Sequence, residues 1–426
     1  MKALSEYEGA ISDYFLVTFL RSDSTVYEVY HTFKGILDAL NQDMRVSVLV
    51  HHSVEPQRCF EAELLHLINE RHQKLCVCEI KFIHSLKLCR IINSALSELG
   101  ERKVRCSENA LLPRTVFSQD PFSVLEGDGD INYILNPIYP GTNFASAYIG
   151  PVLSDKPERP SYMLRPCSLS FAGGNILAGD GYILIGEDTI IENTNQSTRD
   201  RDDVLKDFQQ YYGVEKVISV ACSFLNSKEE LNSQGMCQPL FHIDLFISLG
   251  GPRTRSDGLR EEVVFVGKLI AFDSNTGKFI RPDHGKPSEI ACGLDTVAAD
   301  LDGQPVPEGF LKVERIPLIL DIVSGNYYSW NNSLVENHWP CPKRRIYLPD
   351  YLIGKKKQPL IKGYQNECIE TFESFGYEVC MVQNDFGYYA MEMRGSLHCM
   401  VKVLRRKRIA DCGSQVTRAT TPSPFG

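Results

Sequence analysis

Residues 240–250 read LFHIDLFISLG, an apolar run broken only by His242 and Asp244 near its start and Ser248 further on. Extended backbone alternates its side chains between two faces. As a strand, the run therefore sets His242 and Asp244 on one face and Phe241, Ile243 and Leu245 on the other. A histidine and a carboxylate on an apolar strand are costly unless partnered. The segment alone supports two readings equally: a hydrogen-bonded pair that stiffens a core, or two groups held for chemistry.

Working outward, the next informative stretch is MEMRGSLHCMVKV, residues 391–403. In regular strand His398 and Cys399 would face opposite ways and could not share a pocket. Gly395 points to a turn that displays one of the two at the start of the strand. A cysteine there needs a base from elsewhere in the chain, and His242 is the candidate. The bland alternative is a small core residue, the commoner fate of an isolated cysteine.

Two further stretches carry possible site residues. In FSQDPF (117–122), Asp120 precedes a proline that keeps its backbone extended, with a surface or turn-capping aspartate as the alternative. In SLSFAGGNILAGDG (168–181), Gly173 and Gly174 stand between strand-like runs, where a bulge or a close approach of ligand to backbone is allowed. The lysine and Ser/Thr of a phosphate loop are missing, so a nucleotide site is not expected.

The remainder of the chain bounds the answer. Short β-rich runs such as RVSVLVHH (45–52) and VVFVGKLIAF (263–272) alternate with helical patterns such as FEAELLHLINERH (60–72) and SLKLCRIINSALSELG (85–100). The pattern implies one α/β body over residues 1–407, with a flexible tail of linker composition over 408–426 and GKKKQP (354–359) as a solvated loop. The formal charge of −9 argues against general nucleic-acid binding, which needs clustered positive charge. The 14 cysteines are scattered, and CVC at 76–78 has no second ligand pair at zinc spacing, so reduced thiols and no structural metal are expected. EGDGDINY (126–133) reads as a turn rather than a cation site. With no apolar run of membrane-spanning length and no leader pattern, a cytoplasmic location and no membrane partner are expected.

Taken in order, SQDPF, FAGGNIL, HIDLFISL, SWNNSLVE and GSLHC resemble the guanidine-modifying superfamily, whose members are five-bladed α/β propellers of the pentein fold. The resemblance covers roughly residues 110–405. The first 110 residues are similar only in pattern, as a first blade with an insertion. It implies a propeller of repeated ββαβ-type units, with Cys399 as nucleophile and His242 as general acid and base. Asp120 and Asp244 would hold the guanidinium, and Asn332, Gly173, Gly174 and Asn175 would line the substrate. His398 would be a scaffold neighbour. One departure stands out: Ala172 occupies the position before Gly-Gly where agmatine and free-arginine deiminases commonly carry glutamate, a pattern closer to the peptidyl-arginine deiminases.

These residue types suit the chemistry that the resemblance implies. Carboxylates pair bidentately with the edges of a planar guanidinium, and a thiolate suits its soft central carbon. A histidine can protonate departing ammonia and later activate water. The implied activity is arginine deimination to citrulline plus ammonia, with peptidyl or protein-bound arginine preferred over agmatine or free arginine. It needs no cofactor and no metal. A second copy of the chain, as a homodimer, is the one protein partner considered. The competing readings are an amidinotransferase, a decayed propeller acting as a binding module, and a papain-like hydrolase, whose cysteine-before-histidine order is opposite to that found here.

Overall fold

The computed structural model describes residues 1–20, 26–31, 33–39, 44–52, 60–71, 77–84, 119–120, 122–128, 131–137, 162–196, 199–221, 237–282, 284–337, 344–352, 359–383 and 395–407. Their strands gather into five sheets. Every sheet contains an antiparallel pair and a parallel neighbour, and helices make those parallel crossovers that lie among the described residues, as in a ββαβ unit. In one, Ile176–Ala178 pairs antiparallel with Tyr182–Gly186, which pairs parallel with Lys216–Val220. The helices Glu187–Gln196 and Arg201–Tyr212 make that crossover. In the next, Ile247–Thr254 and Arg260–Asp273 are antiparallel, and Gly309–Asp321 returns parallel after the helix Gly285–Leu301. A third runs Leu334–Asn337, Arg344–Asp350, helix Lys362–Ser374, Tyr377–Gln383. A fourth is built on Ser123–Glu126, Asn132–Asn136 and Tyr162–Pro166. Five such sheets make the five-bladed α/β propeller that the sequence resemblance implied.

The first blade draws on both ends of the sequence. Ala10–Leu20 pairs parallel with Arg45–His52, which pairs parallel with Val77–His84. Its antiparallel partner is Val401–Lys407, from the other end of the chain. That partner is not a neighbouring segment of the sequence, as a hairpin partner would be. The distant C-terminal strand takes that place and closes the ring. Within EGDGDINY, Glu126 stands opposite Asn132 across an antiparallel pair and the Gly127 N–H donates to the Ile131 carbonyl at 2.9 Å, while residues 129 and 130 lie outside the described residues. The helix expected over 85–100, most of the 354–359 loop and the 408–426 tail lie outside the described residues. No described helix is long and apolar enough to cross a membrane.

Local chemistry explains where the elements start and stop. The helix Arg201–Tyr212 begins at Asp200, whose side chain accepts from the Asp203 N–H at 2.9 Å. It ends at Gly213, which adopts φ 60°, a left-handed cap that side-chain-bearing residues resist. Val204, Phe208 and Tyr212, four residues apart, form its buried stripe. Elsewhere Phe265, fully buried on its strand, packs its ring 4.5 Å from that of Phe372 and 5.4 Å from that of Phe375, locking two blades together. Phe265→Ala should lower stability by about 3–5 kcal/mol. Chemical denaturation checks this, and a loss below about 1 kcal/mol would contradict the packing described.

Candidate active site

The segment that opens the sequence reading is not strand throughout. His242 is extended (φ −132°, ψ 144°), but Ile243–Leu245 forms a 3-10 turn, and the strand starts only at Ile247. The strand-face argument for pairing His242 with Asp244 therefore fails at this point. A turn forms because its backbone groups find partners that a sheet edge would not supply. The Ile243 N–H donates to Asn175 Oδ1 at 3.2 Å, and the Phe246 N–H donates back to the Ile243 carbonyl at 3.1 Å. The Asp244 carbonyl accepts from Asn332 Nδ2 at 3.1 Å.

The two side chains nevertheless meet, around Gly174. A methyl group on Gly174 would lie 2.9 Å from Asp120 Oδ1, 2.9 Å from His242 Nδ1 and 3.1 Å from Asp244 Oδ2. Three functional groups from two distant segments thus converge on one backbone position, in a third segment, without a side chain. The Asp120 loop is fastened to it: the Gly173 N–H donates to the Asp120 carbonyl at 2.9 Å and the Gly174 N–H to Asp120 Oδ1 at 3.3 Å. His242 Nδ1 lies 3.5 Å from the same oxygen. Gly173 is packed against backbone, since a methyl there would fall 2.0 Å from the Gln119 carbonyl oxygen. Asn175 acts as a bracket. Its carbonyl oxygen accepts from Gln238 Nε2 and Ile243 N, and its amide donates to Thr189 Oγ1.

Cys399 sits in a single helical turn, Leu397–Met400, ahead of the strand Val401–Lys407. This corrects the strand-based separation of His398 from Cys399. In a helical turn neighbouring side chains diverge by about 100° rather than 180°, and here both reach Asp244. His398 Nδ1 lies 2.9 Å from Asp244 Oδ2, and Cys399 Sγ lies 3.4 Å from the same oxygen. Asn332 also holds Cys399: its Nδ2 donates to Cys399 Sγ at 3.2 Å, and its Oδ1 accepts from the Cys399 N–H at 3.2 Å. The Cys399 carbonyl accepts from the Gln119 N–H at 3.1 Å, tying this turn to the Asp120 loop.

Burial shapes the electrostatics. Asp244 is 1% exposed, and its Oδ1 has no hydrogen-bond partner among the described residues. Burial, followed by the charges of Asp244 and Asp120, pushes the Cys399 thiol well above its ordinary range, which favours its protonated form. Burial also raises Asp120, assisted by Asp244 and opposed by His242. Burial opposes charge on His398, but hydrogen bonds to Asp244 and Glu6 prevail and lift it to about 9. Burial lowers Lys402 to about 8, against the pull of Glu6, Asp120 and Asp244.

Two groups at this site escaped the sequence reading. Glu6 accepts from His398 at 3.1 Å, and nothing in its own neighbourhood of the sequence marks it. Lys402, 6% exposed, donates to the Gln119 carbonyl at 3.4 Å. Its signal was legible, because a lysine inside CMVKVL is conspicuous in a strand start with no polar face. Among the described residues, no group of three or more His, Cys, Asp or Glu has metal-holding geometry.

No known family profile matches this chain, and no curated protein sequence matches it. Solved structures do. A protein assigned as an arginine deiminase from Porphyromonas gingivalis superposes with TM-score 0.57 at 16% identity, covering 94% of this chain and 96% of that one. A protein assigned as a peptidyl-arginine deiminase gives 0.54 at 15% identity, covering 95% and 99%. A substrate-bound Cys-to-Ser variant of the C. jejuni agmatine deiminase gives 0.50 at 12% identity, covering 95% and 97%. The fold is the pentein fold of guanidine-modifying proteins.

Two predictions follow from the geometry. Gly174→Ala meets only side-chain ends, so the fold should persist while turnover falls about a hundredfold or more through misplaced groups. Gly173→Ala meets backbone and should instead cost about 1–3 kcal/mol of stability. Thermal melts beside activity assays separate the two, and equal effects would contradict the site's layout. The second concerns pH. The folded value of His398, about 9, lies above its ordinary 6.5, so its stabilisation is complete below pH 6.5 and is lost as pH rises through 9. Lys402, displaced from 10.5 down to about 8, acts in the opposite sense only above pH 8. The stability advantage of the wild type over His398→Gln should therefore shrink between pH 6.5 and 8. An advantage that stays constant or grows would refute it.

Proposed function

We propose that the protein is a cysteine-dependent hydrolase of a guanidino group, converting it to a ureido group with release of ammonia. The observation that carries this reading is the buried Asp244 Oδ1, which has no hydrogen-bond partner among the described residues, on the same carboxylate that touches the Cys399 thiol. An acceptor oxygen left without a donor in the interior is costly. A planar cation with N–H groups beside an electrophilic carbon would satisfy it and present that carbon to sulfur. Asp120 supplies a second carboxylate next to His242.

The reaction then runs as follows. Guanidinium binding offsets the negative field of Asp120 and Asp244, which lowers the barrier to ionising the Cys399 thiol. The thiolate forms a C–S bond to the guanidinium carbon. His242 takes the thiol proton and passes it to the departing nitrogen; the C–N bond breaks, ammonia leaves and a thiouronium remains on Cys399. His242 next takes one proton from water, whose oxygen attacks the same carbon; the C–S bond breaks, one water proton returns to the sulfur and the other leaves with ammonia as ammonium, giving the neutral ureido product and free thiol. Asn332 steadies the sulfur throughout.

Peptide- or protein-bound arginine is the preferred substrate. Ala172 puts a methyl group where small-molecule deiminases commonly place a glutamate, and the pattern resembles peptidyl enzymes more closely. The test is ammonia and citrulline formation from a blocked arginine ester, agmatine and free arginine, with and without an added amine. Ester turnover independent of the amine is the expected result. Amine-dependent turnover identifies an amidinotransferase, and preference for agmatine reverses the substrate assignment. Cys399→Ser and His242→Ala should each abolish turnover, and full activity in either would sink the mechanism.

A further inference from the structure

We propose that Glu6 and His398 form a buried clamp that orients the Asp244 carboxylate, making the N-terminal segment a working part of the site. The clamp rests on the reading of Asp244 as the guanidinium ligand. It adds two positioning residues, one of which nothing in the sequence singles out.

The geometry is a chain of contacts. Glu6 Oε2 lies 3.1 Å from His398 Nε2, and His398 Nδ1 lies 2.9 Å from Asp244 Oδ2. Cys399 Sγ lies 3.4 Å from that same Asp244 oxygen. Both ring nitrogens of His398 face carboxylates. Ionised carboxylates only accept, so both nitrogens must donate and the ring is an imidazolium. A singly protonated ring would place a lone pair against one carboxylate. His398 is 5% exposed and Asp244 1%, so water competes little for these bonds.

The arrangement divides the labour of the Asp244 oxygens. Oδ2 is fixed by His398 and adjoins the thiol, which leaves Oδ1 as the unpartnered acceptor. Without the imidazolium the carboxylate is free to rotate, and the open oxygen loses its aim. Glu6 maintains the charge on His398. The other charged groups bearing on this chain are Lys402 and Arg406, which act on Glu6, and Asp120, which with Asp244 acts on Cys399. Arg406 also ties down the Glu6 backbone, donating to its carbonyl through Nη2. The glutamate is therefore anchored by main chain as well as side chain.

The closing experiment combines kinetics with nitrogen-15 NMR of the imidazoles on the full chain. Glu6→Gln and His398→Gln should each lower kcat/KM for the best guanidine substrate about ten- to a hundredfold, the span of one charge-assisted hydrogen bond. Because Glu6 acts through His398, the double variant should be no worse than His398→Gln alone, and Glu6→Asp should recover part of the Glu6→Gln loss. In wild-type protein both His398 nitrogens should remain protonated at pH 8, and Glu6→Gln should move the titration to lower pH. Independent, multiplying losses would overturn the clamp, as would wild-type kinetics in Glu6→Gln. Should a variant fail to fold, the wild-type titration decides, and a neutral His398 at pH 8 overturns the proposal. Wild-type protein that turns over no guanidine defeats the functional reading instead, and the titration still judges the clamp.

Discussion

A carboxylate buried against a thiol is the constraint on which this structure turns. Asp244 is almost wholly removed from water, and an isolated charge in that position would cost several kcal/mol. Its environment offsets the cost with elements far apart in sequence. The 3-10 turn carries it, the 330–333 loop holds its backbone through Asn332, and the 397–400 helical turn brings His398 to one of its oxygens. None of these is a local interaction, so the site exists only when the blades have assembled. This explains why so many residues here are buried polar groups with specific partners rather than a smooth apolar core.

Ring closure and site chemistry depend on the same strands. Val401–Lys407 pairs with Ala10–Leu20, completing the first blade with residues from both ends of the chain. The helical turn with His398 and Cys399 leads directly into that C-terminal strand, and Glu6 lies just before the N-terminal one. Arg406, buried on the closing strand, donates to the carbonyls of Gly9 and Val335 as well as Glu6. One side chain thus binds the N-terminal segment, the closing strand and a neighbouring blade. A fold closed in this way holds its N-terminus in place, which is what lets a residue as early as Glu6 take part in a site.

Much of this was legible in the sequence, though not always for the right reason. The strands Arg45–His52 and Arg260–Asp273 could be read because their apolar runs have strand length. His242 and Asp244 were correctly brought together, but by an alternation that the backbone does not have between them. A short apolar run looks the same whether it forms a strand or a single 3-10 turn, and the bond from Ile243 to Asn175 that decides the matter lies 68 residues away in sequence. The HisCys pair failed similarly, since Leu397–Met400 is one turn and too short to leave a periodic signature. Glu6 was illegible for a deeper reason. Its role comes from ring closure, and no window of sequence contains both ends of the chain.

The charge pattern also gives the proposed reaction a direction. Before substrate arrives, burial together with the charges of Asp244 and Asp120 holds the nearby thiol in its protonated form, so the sulfur is guarded from adventitious electrophiles in part by the groups proposed to recognise the substrate. A guanidinium brings the positive charge that relieves this restraint, whereas a neutral ligand of the same shape does not. Deimination then removes that charge from the substrate. The ureido product is neutral, the carboxylates lose their counterion, and the field that keeps the thiol protonated returns. On this argument recognition, activation and release are one electrostatic cycle, driven by the entry of a cation and the exit of a neutral molecule. The imidazolium of His398 remains outside the cycle, since its charge is set by Glu6 and Asp244 rather than by the substrate.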